Sequence, residues 1–467
     1  MIMKKIFFDV HKIAIGLLLI ALSFASCKKL IEIPANPPSA ITQQEQFADS
    51  STTMTAIAGV YTYNAGNGFA YSDGTLTSSC ALSADELSYA QTDDAQQFYS
   101  YNLTPLNNEI INLWGIPYQS IYQVNAVLNG ITGNSALSAS FQKQITGEME
   151  VVRALYYFNM VNLFGGVPLV TSTAYSATSR LPRASVAAIY TQVIADLTDA
   201  KKKLRVAYPS TGRARPNLYT AVALLAKVNL YESNWQSAYN EADSVIKSGI
   251  YSVNNVPLTG VFLDGSNEAI WQIPAKQAYA EVADARVFIP YNSQVTPNFL
   301  LTPALLSAFE AGDQRLQNWV GRKVSAGKTF FYPYKYKNIQ PSDTSATEDQ
   351  MILRLSEMHL IRAEAAAHLN NLPQALADVN IIRARAGLTA STANVTSQTA
   401  VLNAVMHERQ VELFCEWGNR WFDLKRTGTA ATVLGAEKTG FNANAALYPL
   451  PQAQIQLNNL LTQNPGY

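Results

Sequence analysis

Two stretches of this chain carry one pattern: AKVNLYESNWQSAYNEADSVI from Ala226 to Ile246, and AEAAAHLNNLPQALADVNIIR from Ala363 to Arg383. Laid over each other at a constant offset, Ala226 falls on Ala363, Asn234 on Asn371, Trp235 on Leu372, Ala238 on Ala375 and Val245 on Ile382. Each reads as a helix, a tight Asn-containing turn and a second helix, with small alanines where two antiparallel helices must come close. A hairpin of this tetratricopeptide type cannot bury its apolar face alone, so it stacks on neighbours. The competing account is that two alanine-rich hairpins align by composition alone.

The surrounding sequence is mostly helical in period. From Gly115 to Ile131, Tyr118, Ile121, Tyr122, Val124, Val127 and Leu128 recur at helical spacing. A second helix runs from Phe141 to Phe164 and stops at Gly165-Gly166 with Pro168 beyond. A third spans about Ser185 to Leu204, and a fourth starts at Pro216, read as a first-turn proline, and reaches Tyr231. Residues 65–110 and 250–350 break the pattern and are rich in Gly, Asn, Ser, Thr, Asp, Pro and Tyr. Short alternating pieces there, EAIWQI from Glu268 and KTFFYPYKYK from Lys328, read as strands. Long irregular insertions of high aromatic content point to function more than to disorder. The expected fold is mostly α: helical hairpins over about 113–250 and 351–428, irregular insertions over about 65–110 and 250–350, and a few short strands. Stacked hairpins with inserted loops can share one core, so 467 residues need not mean several domains.

Composition excludes more than it names. Lys+Arg and Asp+Glu balance at 34 each, and only 15% of residues are charged, which argues against a nucleic-acid binder. At 48% hydrophobic the chain is too apolar to be largely disordered. Tyrosine is abundant at 24 residues, a side chain with an apolar face and a polar tip that suits cores and wet binding surfaces alike.

The N-terminus carries an export signal. Lys4, Lys5 and Lys12 precede an apolar run from Ile13 to Phe24, which is too short to span a bilayer. Residues 1–26 therefore read as a signal peptide, and Ala25-Ser26-Cys27 resembles a bacterial lipoprotein box, with Phe24 where Leu is usual. Cys27 is the expected lipidation site, and residues 27–40, with three prolines, the tether. Removing the first 26 residues leaves 31 basic against 33 acidic side chains, a net charge of −2. Cys80 and Cys415 are far apart in sequence. They could pair in an oxidising compartment, but a buried free thiol suits Cys415 better in its apolar stretch VELFCEW.

The densest charge lies between Met406 and Gly428. Glu408, Glu412 and Glu416 share one helix face, and successive residues on one helix form a ridge that cannot flank a sugar as a glycosidase pair must. A structural network with Arg409, Arg420 and Arg426, plus Glu364 and Arg362, is the expected arrangement. None of the histidines (His11, His359, His368, His407) has a partner at metal-ligand spacing, and neither a phosphate loop nor a nucleophile elbow is found. No cofactor, metal or catalytic residue is expected.

Several segments, in order along the chain, resemble the SusD/RagB family of outer-membrane nutrient-binding lipoproteins of Bacteroidota. They are SCKKLIEIPANPPS from Ser26, LWGIPYQSIYQVNAVL from Leu113, GEMEVVRALYYFNMVNLFGGVPLVT from Gly147 and GRARPNLYTAVALLAKVNLYESNW from Gly212. LRLSEMHLIRAEA from Leu353, HERQVELFCEWGNRWFDLKRTG from His407 and YPLPQAQIQLNNLLTQNPGY at the C-terminus complete the set. The resemblance implies a SusD-like scaffold of four tetratricopeptide-like hairpins that binds rather than catalyses. It implies capture of an oligosaccharide, or in some relatives a peptide, for a SusC-like TonB-dependent transporter at the outer membrane, with the protein lipid-anchored and facing outward. An anchored hydrolase or a protein-binding scaffold are the competing classes.

Ligand contacts are expected in SADELSYAQTDDAQQFYSYN, from Ser83 to Asn102, which sets Tyr89, Phe98, Tyr99 and Tyr101 among Asp85, Glu86, Asp93 and Asp94. Flat aromatics cover the apolar face of a sugar while carboxylates bond its hydroxyl rim. The resemblance adds a second region around Phe309, Asp313 and Arg315, which contains Tyr291 and Trp319. No tryptophan lies in residues 83–102, where Phe98 stands nearest to the family's Trp-bearing loop. Trp114 and Trp271 are assigned to the core.

Overall fold

The structure is a computed structural model and describes residues 41–62, 71–274, 282–339, 348–438 and 440–467. The expected signal peptide, Cys27 and the tether lie outside the described residues. Among those described, no helix is long and apolar enough to cross a membrane.

The fold is mostly α and tetratricopeptide-like. We number the helices used here α1 (Ser50–Thr62), α2 (Thr75–Ser83), α3 (Asn108–Ile131), α4 (Ala139–Phe164), α5 (Val186–Lys203), α6 (Leu218–Tyr231), α7 (Trp235–Lys247), α8 (Leu355–His368), α9 (Leu372–Arg385), α10 (Gln398–Glu412) and α11 (Asn419–Arg426). From α3 to α10 each helix packs on the next. That order holds even between α7 and α8, so the hundred or so residues between them leave the stack and return to it.

The two quoted hairpins share their turn in detail. Asn234 and Asn371 flank their second helices at φ −81°, ψ 66° and φ −93°, ψ 66°. Ser233 and Asn370, just before them, hold φ of 58° and 62°. The Asn234 and Asn371 amides donate back to the carbonyls of Asn229 and Ala366, both at 2.8 Å. Ala226, Ala238, Ala363 and Ala375 are fully buried, as close helix approach requires. Trp235 and His368 stack at 3.8 Å, joining the start of α7 to the end of α8.

Helix ends follow local chemistry. Ser185 and Ser138 cap α5 and α4, and α4 stops at Gly165, whose φ is +72°. The proline-led start of the fourth helix is corrected: Asn217 and Thr220 form a reciprocal cap, and Pro216 lies outside it. The first helix also begins earlier than its period suggests, at an Asn107 cap, and carries Pro117 within it.

The irregular insertions hold more order than composition implies, α2 among it. Among the described residues, three two-stranded antiparallel sheets lie there or at their edge: β1 (Leu87–Tyr89) with β3 (Phe299–Leu301), β2 (Ala269–Pro274) with β6 (Asp349–Arg354), and β4 (Val320–Ser325) with β5 (Lys328–Pro333). Trp271 on β2 is in the core, as is Trp114 on α3. Cys80 and Cys415 are free and buried. Burial pushes the Cys80 thiol up to about 12.

Candidate functional site

Strand β1 pairs with β3 so that Tyr89 faces Phe299, bringing together residues more than two hundred positions apart. Their rings lie 4.7 Å apart, tilted by 49°. Beyond β1 the chain turns on two aspartates. Asp93 accepts the Tyr89 hydroxyl at 2.8 Å and the Ala95 amide at 3.0 Å. Asp94 reaches the start of α3, accepting the Asn108 amide at 2.9 Å and its side-chain amide at 2.7 Å. Asn107, the cap of α3, donates to the Asp94 carbonyl at 2.9 Å and to Gln97 at 3.1 Å.

Between these elements, the start of α2 and the short helix Ala283–Phe288 opens a cleft of about 760 Å³. Tyr89, Phe299 and Val287 supply its apolar surface; Thr75, Ser78, Gln96, Gln97, Asn102, Asn108, Asp93, Asp94 and Glu109 supply the polar rim. Burial raises the Glu109 carboxyl above its ordinary range, and the like charge of Asp73 adds to the rise, which a Thr75 hydrogen bond opposes. Burial also raises Asp73, although the backbone and hydroxyl of Thr75 bond it.

Of the expected ligand residues, Tyr89, Asp93 and Asp94 line this cleft. Others are corrected. Phe98 is 0% exposed: it is the buried residue of the short helix Gln96–Ser100 and packs edge-on against Tyr448 at 5.2 Å. Trp319 is also 0% exposed and donates its indole N–H to the Leu258 carbonyl at 2.9 Å. Asp85 is buried in a bidentate pair with Arg420 at 2.7 and 2.6 Å. These three side chains are spent on the interior. Tyr101 gives its hydroxyl to the Ser83 carbonyl at 2.7 Å and packs on Phe441, and Tyr99 lies under the Lys438 ammonium at 4.6 Å. Tyr291 is 75% exposed and stands outside the cleft lining.

The sequence reading missed Phe299, Val287, Asn108 and Glu109. Only the Asn107-Asn108-Glu109 start of α3 carried a local signal, that of a capped helix.

Glu408 and Glu412 of α10, with Glu416 in the turn just beyond it, form a buried network with different partners from those expected. Arg315 donates to Glu408 at 2.6 Å and to Glu412 at 3.0 Å. Arg354 bonds Glu416 twice at 2.9 Å, Glu412 at 2.5 Å and Glu268 at 2.8 Å. Arg385 bridges Glu268 and Glu412, and Lys335 holds Glu416 at 2.5 Å. Burial would raise Glu412, but Arg385, Arg354 and Arg315 hold it far below the carboxylate range. Arg409 and Arg426 pair instead with Asp423, Arg426 also with Glu364, and Arg362 with Asp378 and Asp243. A step of one residue turns a side chain about 100° round the helix, so Arg409 points away from Glu408 and reaches Asp423 instead. These glutamates are buried and paired, and offer no acid/base couple flanking a cleft.

Comparison with known proteins agrees on kinship. The sequence profile of the SusD family matches residues 304–467, and a second, described as "starch-binding associating with outer membrane", matches residues 36–230. A SusD-like protein of Formosa agariphila is 25% identical over 77% of this chain and 80% of its own length. Another from that organism is 24% identical over 98% and 100%. Among solved structures, a SusD superfamily protein from Bacteroides vulgatus superposes with a TM-score of 0.79 at 21% identity, covering 90% of this chain and 100% of its own. A laminarin-binding SusD-like protein gives 0.72 at 22% identity over 90% and 100%. Surface glycan-binding protein A from Bacteroides fluxus gives 0.73 at 20% over 90% and 99%.

Proposed function

The chain belongs to the SusD family, and from that premise we propose that it captures an oligosaccharide at the cell surface and delivers it to a SusC-like TonB-dependent transporter. The cleft carries this reading. Its tilted Tyr89–Phe299 pair offers a face for the C–H side of a sugar ring, and the surrounding amides, hydroxyls and carboxylates suit the hydroxyl rim. A volume of about 760 Å³ accommodates a few sugar rings. Two fold relatives are named for glycan binding, one of them for laminarin.

The protein is placed at the outer membrane by lipid on Cys27. Several acyl chains, each buried methylene contributing about 0.8 kcal/mol, hold such an anchor firmly. Changing Cys27 to Ala should move the protein from the membrane to the soluble fraction, and continued membrane association would count against the anchor.

The binding reading is tested by affinity electrophoresis and calorimetry of the full chain against neutral oligosaccharides, including laminarin-type glucans, with chromatography of the sugars afterwards. Retardation with the sugars left whole is the expected result. Shortened sugars would replace binding by hydrolysis, and retention of peptides alone would move the ligand class to peptides.

A further inference from the structure

Three carboxylates face the cleft, Asp93, Asp94 and Glu109, and no lysine or arginine lines it among the described residues. The hydrogen-bond donors to the Asp93 and Asp94 carboxylates are neutral: the Tyr89 hydroxyl, the Ala95 amide, the two nitrogens of Asn108 and, at 3.4 Å, the Gln97 side-chain amide. This departs from the rest of the molecule. A few residues back, Asp85 has Arg420, while Glu412 has three guanidiniums and Glu148 has Arg215. Asp94 and Asp93 act on Glu109 as like charges with no cation among them, and the partial burial of Asp94 and Glu109 sharpens the repulsion. Arg286 draws down Asp73, and both side chains stand outside the cleft lining. A ring stacked at Tyr89 has Asp93 beside it, because the Tyr89 hydroxyl holds that carboxylate in place.

We infer that the cleft selects a saccharide that brings positive charge, an oligomer of a free-amine sugar, and rejects uronate and sulfated sugars. The inference rests on the glycan reading above. The ammonium group replaces the missing guanidinium, and the aromatic pair favours a cation near its face.

The test is calorimetry on the detergent-extracted full chain, at low and high salt, against four probes: glucosamine oligomers, the same oligomers N-acetylated, a laminarin-type glucan and galacturonic acid oligomers. Charged hydrogen bonds of this kind predict that the amine form binds on the order of tenfold more tightly than its acetylated twin. The preference should shrink at high salt, and in Glu109→Gln the ratio should move toward one. Equal or tighter binding of the acetylated, neutral or uronate sugar overturns the charge inference and leaves the glycan reading standing. Binding of no saccharide, or of a lysine-rich peptide alone, overturns both.

Discussion

Glu109, in the first turn of α3, and Glu412, the last residue of α10, are the same side chain in opposite surroundings. Around Glu412 three arginines converge in the buried interior, and the carboxylate stays charged well below the ordinary range. Around Glu109 the charged neighbours are Asp73, Asp94 and Asp93, the cleft is open, and the carboxyl is pushed up. The difference teaches that carboxylate density alone says nothing about ligand binding. What separates scaffold from site is whether the protein supplies the counter-charge itself. A paired network fixes how helices meet; an unpaired rim leaves interaction energy for a partner that arrives later.

The comparison breaks most readily at Arg354. Replacing it by Ala strips Glu268, Glu412 and Glu416 of a shared partner, so a loss of about 3–5 kcal/mol or failure to fold is expected in urea denaturation. A loss below about 1 kcal/mol would mean that the network is not what joins α10 to the insertion. Phe98→Ala tests the same divide from the ligand segment. Its ring is core, so a loss of about 3–5 kcal/mol in stability is expected. A stable variant with weakened sugar binding would return Phe98 to the site.

Acid–base behaviour separates the two kinds of carboxylate more finely. Arg409 and Arg426 hold Asp423 below its ordinary 3.8, against burial. Asp423 and Glu412 therefore add stability that is complete above the ordinary carboxylate range and is lost as pH falls through their lower folded-state values. Burial, with the Asp85 charge, pushes Glu86 up to about 8, and burial pushes Asp284 up to about 7. These two keep a proton in the fold that the unfolded chain has released. Their contribution is complete below the ordinary range and declines as pH rises toward 8. Melting temperature should therefore be highest in mildly acidic solution and fall on both sides, and Glu86→Gln should flatten the upper flank. An unchanged profile in that variant would remove Glu86 from the account.

The smallest effect is expected at the cleft. Tyr89→Ala removes half of the aromatic pair from a partly exposed position, so affinity for the bound sugar should drop about tenfold in calorimetry. The melting temperature should shift by only a few degrees. A large stability loss would make Tyr89 another scaffold residue, like Phe98.

Much of the scaffold is legible in the sequence because its causes are local. Helical period, a serine before α5 and a glycine after α4 each act within a turn of the chain. The repeated Ala–Asn–Ala pattern marks two hairpins because close helix packing admits only small residues at the crossing. The ligand segment is less legible for the same reason in reverse. Tyr89, Phe98, Tyr99 and Tyr101 look alike in a loop-rich stretch, and a three-residue strand and a five-residue helix decide which of them turns inward.

Kinship, a mostly α stack and the expectation of an exported binding protein came from the sequence alone, since periodicity and ordered motifs are carried by neighbouring residues. Which arginine meets which glutamate, that Trp319 is core, and that Phe299 stands opposite Tyr89 were decided only by tertiary structure. Those outcomes depend on strand pairing and helix stacking between segments far apart in the chain. Burial and counter-charge, the two quantities that divide a structural carboxylate from one left open to a ligand, exist only once those segments have met.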